Sequence, residues 1–152
     1  MTPLRIADLK SPEDLKGLGV EDLEGLCDEM RDFLVGTVHQ TGGHLGSNLG
    51  VVELVTALHA VFDFRRDRIV FDVGHQCYPH KILTGRQAGF EGLRQTGGLS
   101  GFCNRKESEY DLLTAGHAGT AISFALGLAE GCRGSAPPGE EDPWSVAFVG
   151  DA

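Results

Sequence analysis

The chain has 152 residues, 22 acidic and 13 basic, for a net charge of −9 with neutral histidines, which is one domain's length. A hydrophobic share of 41% and a charged share of 23% match a soluble globular domain and not a disordered chain. A pI near 5.0 argues against a nucleic-acid or anionic-membrane binder, which needs clustered Lys and Arg.

Ser11-Pro12-Glu13-Asp14 reads as a helix start, with Pro at the first helical position and acids in the first turn, in a segment expected to be a surface lead-in. From Val20 to Val38 the apolar positions Leu23, Leu26, Cys27, Met30, Phe33 and Leu34 recur at steps of three and four, predicting an amphipathic helix. The glycine-rich run Thr41–Gly50 breaks that period, and Ser47 or Asn48 is expected to cap a following helix through about Phe62. Ile69–Val73 is a short β-branched apolar run, as expected of a strand buried in a parallel sheet. Gly74-His75-Gln76 stands at its carboxyl end.

A helical turn is expected over Pro79–Leu83, and then a loop with little periodicity from Gly85 to Gly101. Gly116–Thr120 opens a small-residue helix to about Gly131, residues 133–143 form a solvated loop, and Val146–Val149 is a second buried strand ending at Gly150-Asp151-Ala152. Strands alternating with helices imply a doubly wound α/β layer, which binds ligands beyond the carboxyl ends of its strands.

Both strand tips carry polar chemistry. An aspartate after glycine, Asp151, can hold a hard cation, although a plain turn is the commoner reason for such a pair. His44, His75, His80 and His117 lie in glycine-bordered turns or helix starts, where imidazoles can share a polar pocket and move protons. His39 and His59 fall within helices and read as surface or packing residues. A zinc site from His75 with His80 or Cys77 is disfavoured because Pro79 interrupts regular helical spacing. No G-x-G-x-x-G follows the first strand, against a nicotinamide fold. Cys77 and Cys103 read as structural thiols, and four cysteines with no C-x-x-C pair fit a reducing cytoplasm. No apolar run approaches the length of a membrane span, and no signal peptide opens the chain.

The runs Gly43–Gly50, Asp72–Arg86, Arg94–Phe102, Ser108–Asp111 and Ala115–His117 resemble 1-deoxy-D-xylulose-5-phosphate synthases over essentially the whole chain. The resemblance implies a thiamine-diphosphate-binding fold and an Mg²⁺-dependent transferase. Such an enzyme condenses pyruvate, with decarboxylation, and glyceraldehyde 3-phosphate for isoprenoid, thiamine and pyridoxal biosynthesis, as a cytoplasmic homodimer. It implies His44 as a catalytic proton shuttle, His75, Gly116, His117 and Ala118 as cofactor-binding residues, and Asp151 as a metal ligand. Ala118-Gly119 stands where the family carries two serines. By the same resemblance, residues 1–152 are the N-terminal part of the diphosphate-binding domain, ending inside a Gly-Asp-Gly signature and before the domain with the activating glutamate. The chain alone is then expected to be inactive. The alternative is a non-catalytic remnant or interaction module that keeps the fold.

Overall fold

The computed structural model describes residues 4–114 and 116–150, which group into two units. The first comprises residues up to Asp63 together with His75–Phe102, the second Phe64–Gly74 together with residues from Cys103 onward.

In the first unit, Ser11 caps a short 3-10 helix over Pro12–Leu15 through a complete capping box with Asp14, as the Ser-Pro-Glu-Asp pattern predicts. The segment is more than a lead-in. Ile6, Leu9 and Leu15 are buried, and the Lys16 ammonium donates to the carbonyls of His59, Ala60 and Phe62 at 3.2, 3.0 and 2.8 Å, closing the end of a helix with the charge its dipole favours. Helix α1 spans Val20–Thr41 and buries Leu26, Cys27, Met30, Leu34 and Val38, the three-and-four stripe of the sequence. It packs on α3, Val52–Val61. The single helix expected from the glycine run to Phe62 is instead two: α2, Leu45–Leu49, precedes α3. Neither Ser47 nor Asn48 caps α3, whose N-cap is Val51. After His75 comes α4, Tyr78–Lys81. The chain then continues through a π-type turn, Ile82–Arg86, and a 3-10 helix, Gln87–Gly92, so much of the expected loop is helical. Phe90 and Leu93 are wholly buried there, and Phe33 meets Phe90 edge-on at 5.5 Å. Gly85, at φ +81°, lies against the Lys10 carbonyl so closely that a Cβ would sit 2.4 Å from its oxygen, so only glycine fits.

This unit also buries a histidine pair. His59 and His80 are both fully inaccessible, which corrects the expectation that His80 shares a pocket with His44 and His75. His59 Nδ1 lies 2.8 Å from the Val55 carbonyl, and its Nε2 lies 2.9 Å from His80 Nδ1. A carbonyl only accepts, so neutral His59 carries its proton on Nδ1 and takes the His80 proton on Nε2. Burial first, then the His80 ring and the Lys16 and Arg86 charges, hold the His59 imidazole well below the ordinary histidine value, against the opposing pull of the Val55 carbonyl. An unfolded His59 takes up a proton below pH ~6.5 and the folded one does not. The pair's contribution to stability is therefore complete above that pH, and it declines by about 1.4 kcal/mol per pH unit below it until the folded value is reached. Urea midpoints between pH 8 and 5 should fall more steeply in the natural chain than in His59→Leu; equal slopes would refute this.

The second unit is built on a parallel pair, β1 (Arg68–Phe71) and β2 (Ser145–Phe148), in the register Ile69 to Val146 and Phe71 to Phe148. Helix α5, Ala121–Cys132, packs on both strands through the buried small residues Ala121 and Ala125. This is a mixed α/β chain with a small parallel sheet. Strand β1 ends earlier than expected: Val73, its expected last residue, lies in a turn with φ +57°, a region β-branched residues rarely occupy. No described helix is long and apolar enough to cross a membrane.

Candidate functional site

The first unit brings His44 and His75 together. His44 precedes α2, and His75 lies in the turn that leads to α4. Their rings meet edge-on at 5.8 Å, and the His44 ring also lies 6.2 Å from Tyr78 and 5.3 Å from Phe102. Both histidines are half-buried. The backbone that carries them is tied by one side chain. Asn48, fully buried, donates from Nδ2 to the His44 carbonyl at 2.5 Å and the His75 carbonyl at 2.8 Å, and its Oδ1 accepts the Tyr78 N–H at 2.8 Å. Two carbonyls on one end and an N–H on the other leave only one orientation of the amide. The cap expected at this position is thus a strut between two histidine-bearing segments.

The Tyr78 hydroxyl completes the cluster, accepting the His44 N–H at 3.3 Å and lying 3.4 Å from His44 Nδ1. It also explains Gly43: a Cβ there would sit 2.7 Å from that hydroxyl. Burial chiefly, then the Arg94 and His75 charges, lower the His44 proton affinity, so the imidazole is neutral at pH 7 and able to take a proton. Burial raises the Tyr78 phenol, against the lowering contact of the His44 N–H. Next to His75, the Gln76 side chain is buried, with neither amide atom partnered among the described residues. Native structures rarely leave such a group unsatisfied.

The other cofactor-binding candidates stand in the second unit. Gly116, His117 and Ala118 form an exposed turn ahead of α5. The Thr120 hydroxyl closes it by donating to the His117 carbonyl at 3.0 Å, and Gly119 follows with φ +77°. The expected metal ligand, Asp151, lies outside the described residues. All four cysteines are free thiols, and Cys77 is fully buried.

Sequence reasoning missed two residues, Asn48 as strut and Asp72. The Asp72 carboxylate, 3% exposed at the end of β1, accepts three backbone N–H groups, from Gly119 at 2.9 Å, Thr120 at 2.9 Å and Ala121 at 3.0 Å. Its one sequence signal was an acid at the carboxyl end of an apolar strand.

Comparison with known proteins covers nearly the whole chain. The family model described as 1-deoxy-D-xylulose-5-phosphate synthase matches residues 6–152. Among similar curated proteins, 1-deoxy-D-xylulose-5-phosphate synthase from Rhodobacter capsulatus is 52% identical over 153 residues, covering 99% of this chain and 23% of its own length. Those from Bordetella petrii and Thiobacillus denitrificans are 50% and 54% identical, covering 99% and 94% of this chain. The chain spans less than a quarter of the length of these relatives. With the model matching nearly every residue, the chain belongs to the 1-deoxy-D-xylulose-5-phosphate synthase family.

Proposed function

We propose that this chain forms part of a thiamine-diphosphate-dependent transferase that decarboxylates pyruvate and joins the remaining two-carbon unit to glyceraldehyde 3-phosphate. The observation that carries the reading is the His44–His75 pair on its Asn48 strut, in a chain half identical to synthases of that name. The product would serve isoprenoid, thiamine and pyridoxal biosynthesis. We read the working protein as a cytoplasmic homodimer with a doubly wound parallel sheet, to which β1 and β2 contribute two strands, and residues 1–152 as the N-terminal part of its diphosphate-binding domain.

The donor set fits the cofactor. Gly116, His117 and Ala118 are exposed, the Cβ space at Gly116 is open, and the Gln76 amide is unpartnered among the described residues. Imidazoles and backbone N–H groups suit a diphosphate and a polar ring. His75, Gly116, His117 and Ala118 would hold thiamine diphosphate, and Asp151 the Mg²⁺ on its diphosphate. When bound, the cofactor supplies the carbanion and the electron sink for loss of carbon dioxide. His44 would work on the substrate side, its imidazole passing a proton to the reacting keto oxygen as that oxygen gains charge and taking it back when the carbonyl re-forms. Tyr78, against His44 Nδ1, orients the ring, and Phe102 shields one side of it from water.

The test is carbon dioxide release from pyruvate with glyceraldehyde 3-phosphate, thiamine diphosphate and Mg²⁺. A protein of the relatives' full length carrying these residues should turn over steadily, and residues 1–152 alone should not. No turnover by the long protein would favour the non-catalytic module. Steady turnover by residues 1–152 alone would show that the site needs nothing beyond them.

A further inference from the structure

The buried side chain that follows β1 serves the turn ahead of α5. Asp72 Oδ2 accepts the Gly119 N–H, and Oδ1 accepts those of Thr120 and Ala121. These are the last amide of the turn, the N-cap and the first amide of α5, so the carboxylate sits where a helix dipole most favours negative charge. Asp72 is itself fixed, because its N–H continues the parallel ladder to the Phe148 carbonyl at 2.8 Å. Its carbonyl accepts the Gly74 N–H at 2.5 Å across Val73, whose φ of +57° is a strained backbone held in place by its surroundings. Gly116, His117 and Ala118 are exposed, and among the described residues the Thr120 hydroxyl on the His117 carbonyl is the other tie of this turn.

We propose that Asp72 is the positioning residue for the His117 turn, presetting Gly116–Ala118 in the conformation that receives the cofactor, and so governing cofactor affinity rather than the chemical step. This rests on the thiamine diphosphate reading above. It also places the diphosphate away from the first amides of α5, the usual anion seat of a helix, because Asp72 already fills that seat.

Two variants test it in the full-length protein. Asp72→Asn keeps side-chain size and one acceptor oxygen but loses the charge and the Gly119 bond. Thr120→Val keeps shape and removes the hydroxyl from the His117 carbonyl, leaving the Thr120 N–H on Asp72. Without cofactor, amide exchange over residues 116–121 should quicken by about tenfold or more in each, with β1 and β2 unchanged. Half-saturation by thiamine diphosphate at fixed Mg²⁺ should rise about tenfold, and turnover at saturating cofactor should stay within about threefold of the natural protein. Unaltered exchange over 116–121, or lost turnover with unaltered half-saturation, overturns the proposal. If the natural protein shows no saturable binding, the cofactor reading fails and this role with it. If the natural protein and both variants bind equally, only the positioning role fails. Should Asp72→Asn not fold, Asp72→Glu, which moves the carboxylate one methylene further out, takes its place, with the same results expected and the same results overturning the proposal.

Discussion

His75→Ala is expected to lower turnover of the full-length protein on the order of 10²-fold or more, while its unfolding free energy changes by about 1 kcal/mol or less. The two effects separate because the backbone and the ring of His75 do different things. Its carbonyl is held by Asn48 at 2.8 Å, and truncation at Cβ leaves that bond in place. Its ring is half-buried and meets the His44 ring edge-on, a contact of modest worth to the fold. A melting curve and a steady-state assay on one preparation decide the matter. A variant that melts much earlier while its folded fraction turns over normally would make His75 structural and remove this turn from the cofactor pocket.

Asn48→Ala should behave in the opposite manner, with the largest loss of stability of any single side chain at the site. Its removal leaves the His75 carbonyl and the buried Tyr78 N–H without this partner, each costing about 1–3 kcal/mol when buried unpaired, while the His44 carbonyl keeps the Ser47 hydroxyl. The expected loss is about 2–5 kcal/mol, read from urea denaturation, a large share of the total stability of a marginal domain. Asn48→Asp should recover little, since it keeps the acceptor for the Tyr78 N–H but turns a carboxylate oxygen towards the His44 and His75 carbonyls. A loss below 1 kcal/mol in Asn48→Ala would mean that water replaces the amide and that the two histidine segments are held by other contacts.

These two residues mark what a sequence reveals and what it hides. The stripe of α1, the apolar β1 and β2 and the small-residue α5 were legible because burial of one face imposes a period on the chain. The boundaries moved where local rules met tertiary ones: at Val73 the chain turns, the Gly74 N–H reaching back to the Asp72 carbonyl, and the stretch after Gly85 is helical, with Phe90 and Leu93 filling a core. His44 and His75 stood out by residue type and by their glycine neighbours. Their closeness did not, since it depends on an amide 27 positions from one of them. Asn48 looked like a cap because asparagine in a glycine-rich stretch usually is one. The pairing of His59 with His80 was equally hidden, for a histidine on a helix gives no sign of what its ring will meet 21 residues later.

The first sixteen residues bear on how this protein can be cut. An expression boundary drawn at the start of α1, where the long periodic helix invites one, would delete Ile6, Leu9 and Leu15 and leave bare the apolar surface they cover. It would also delete Lys16, and with it the cation on the last carbonyls of α3, two turns from Val52 and next to the buried His59. Lys10 supplies the wall against which Gly85 turns. A fusion partner is therefore better joined ahead of Ile6 than at Val20, and a protease that nicks the chain between Lys10 and Lys16 would loosen the helix carrying one histidine of the buried pair.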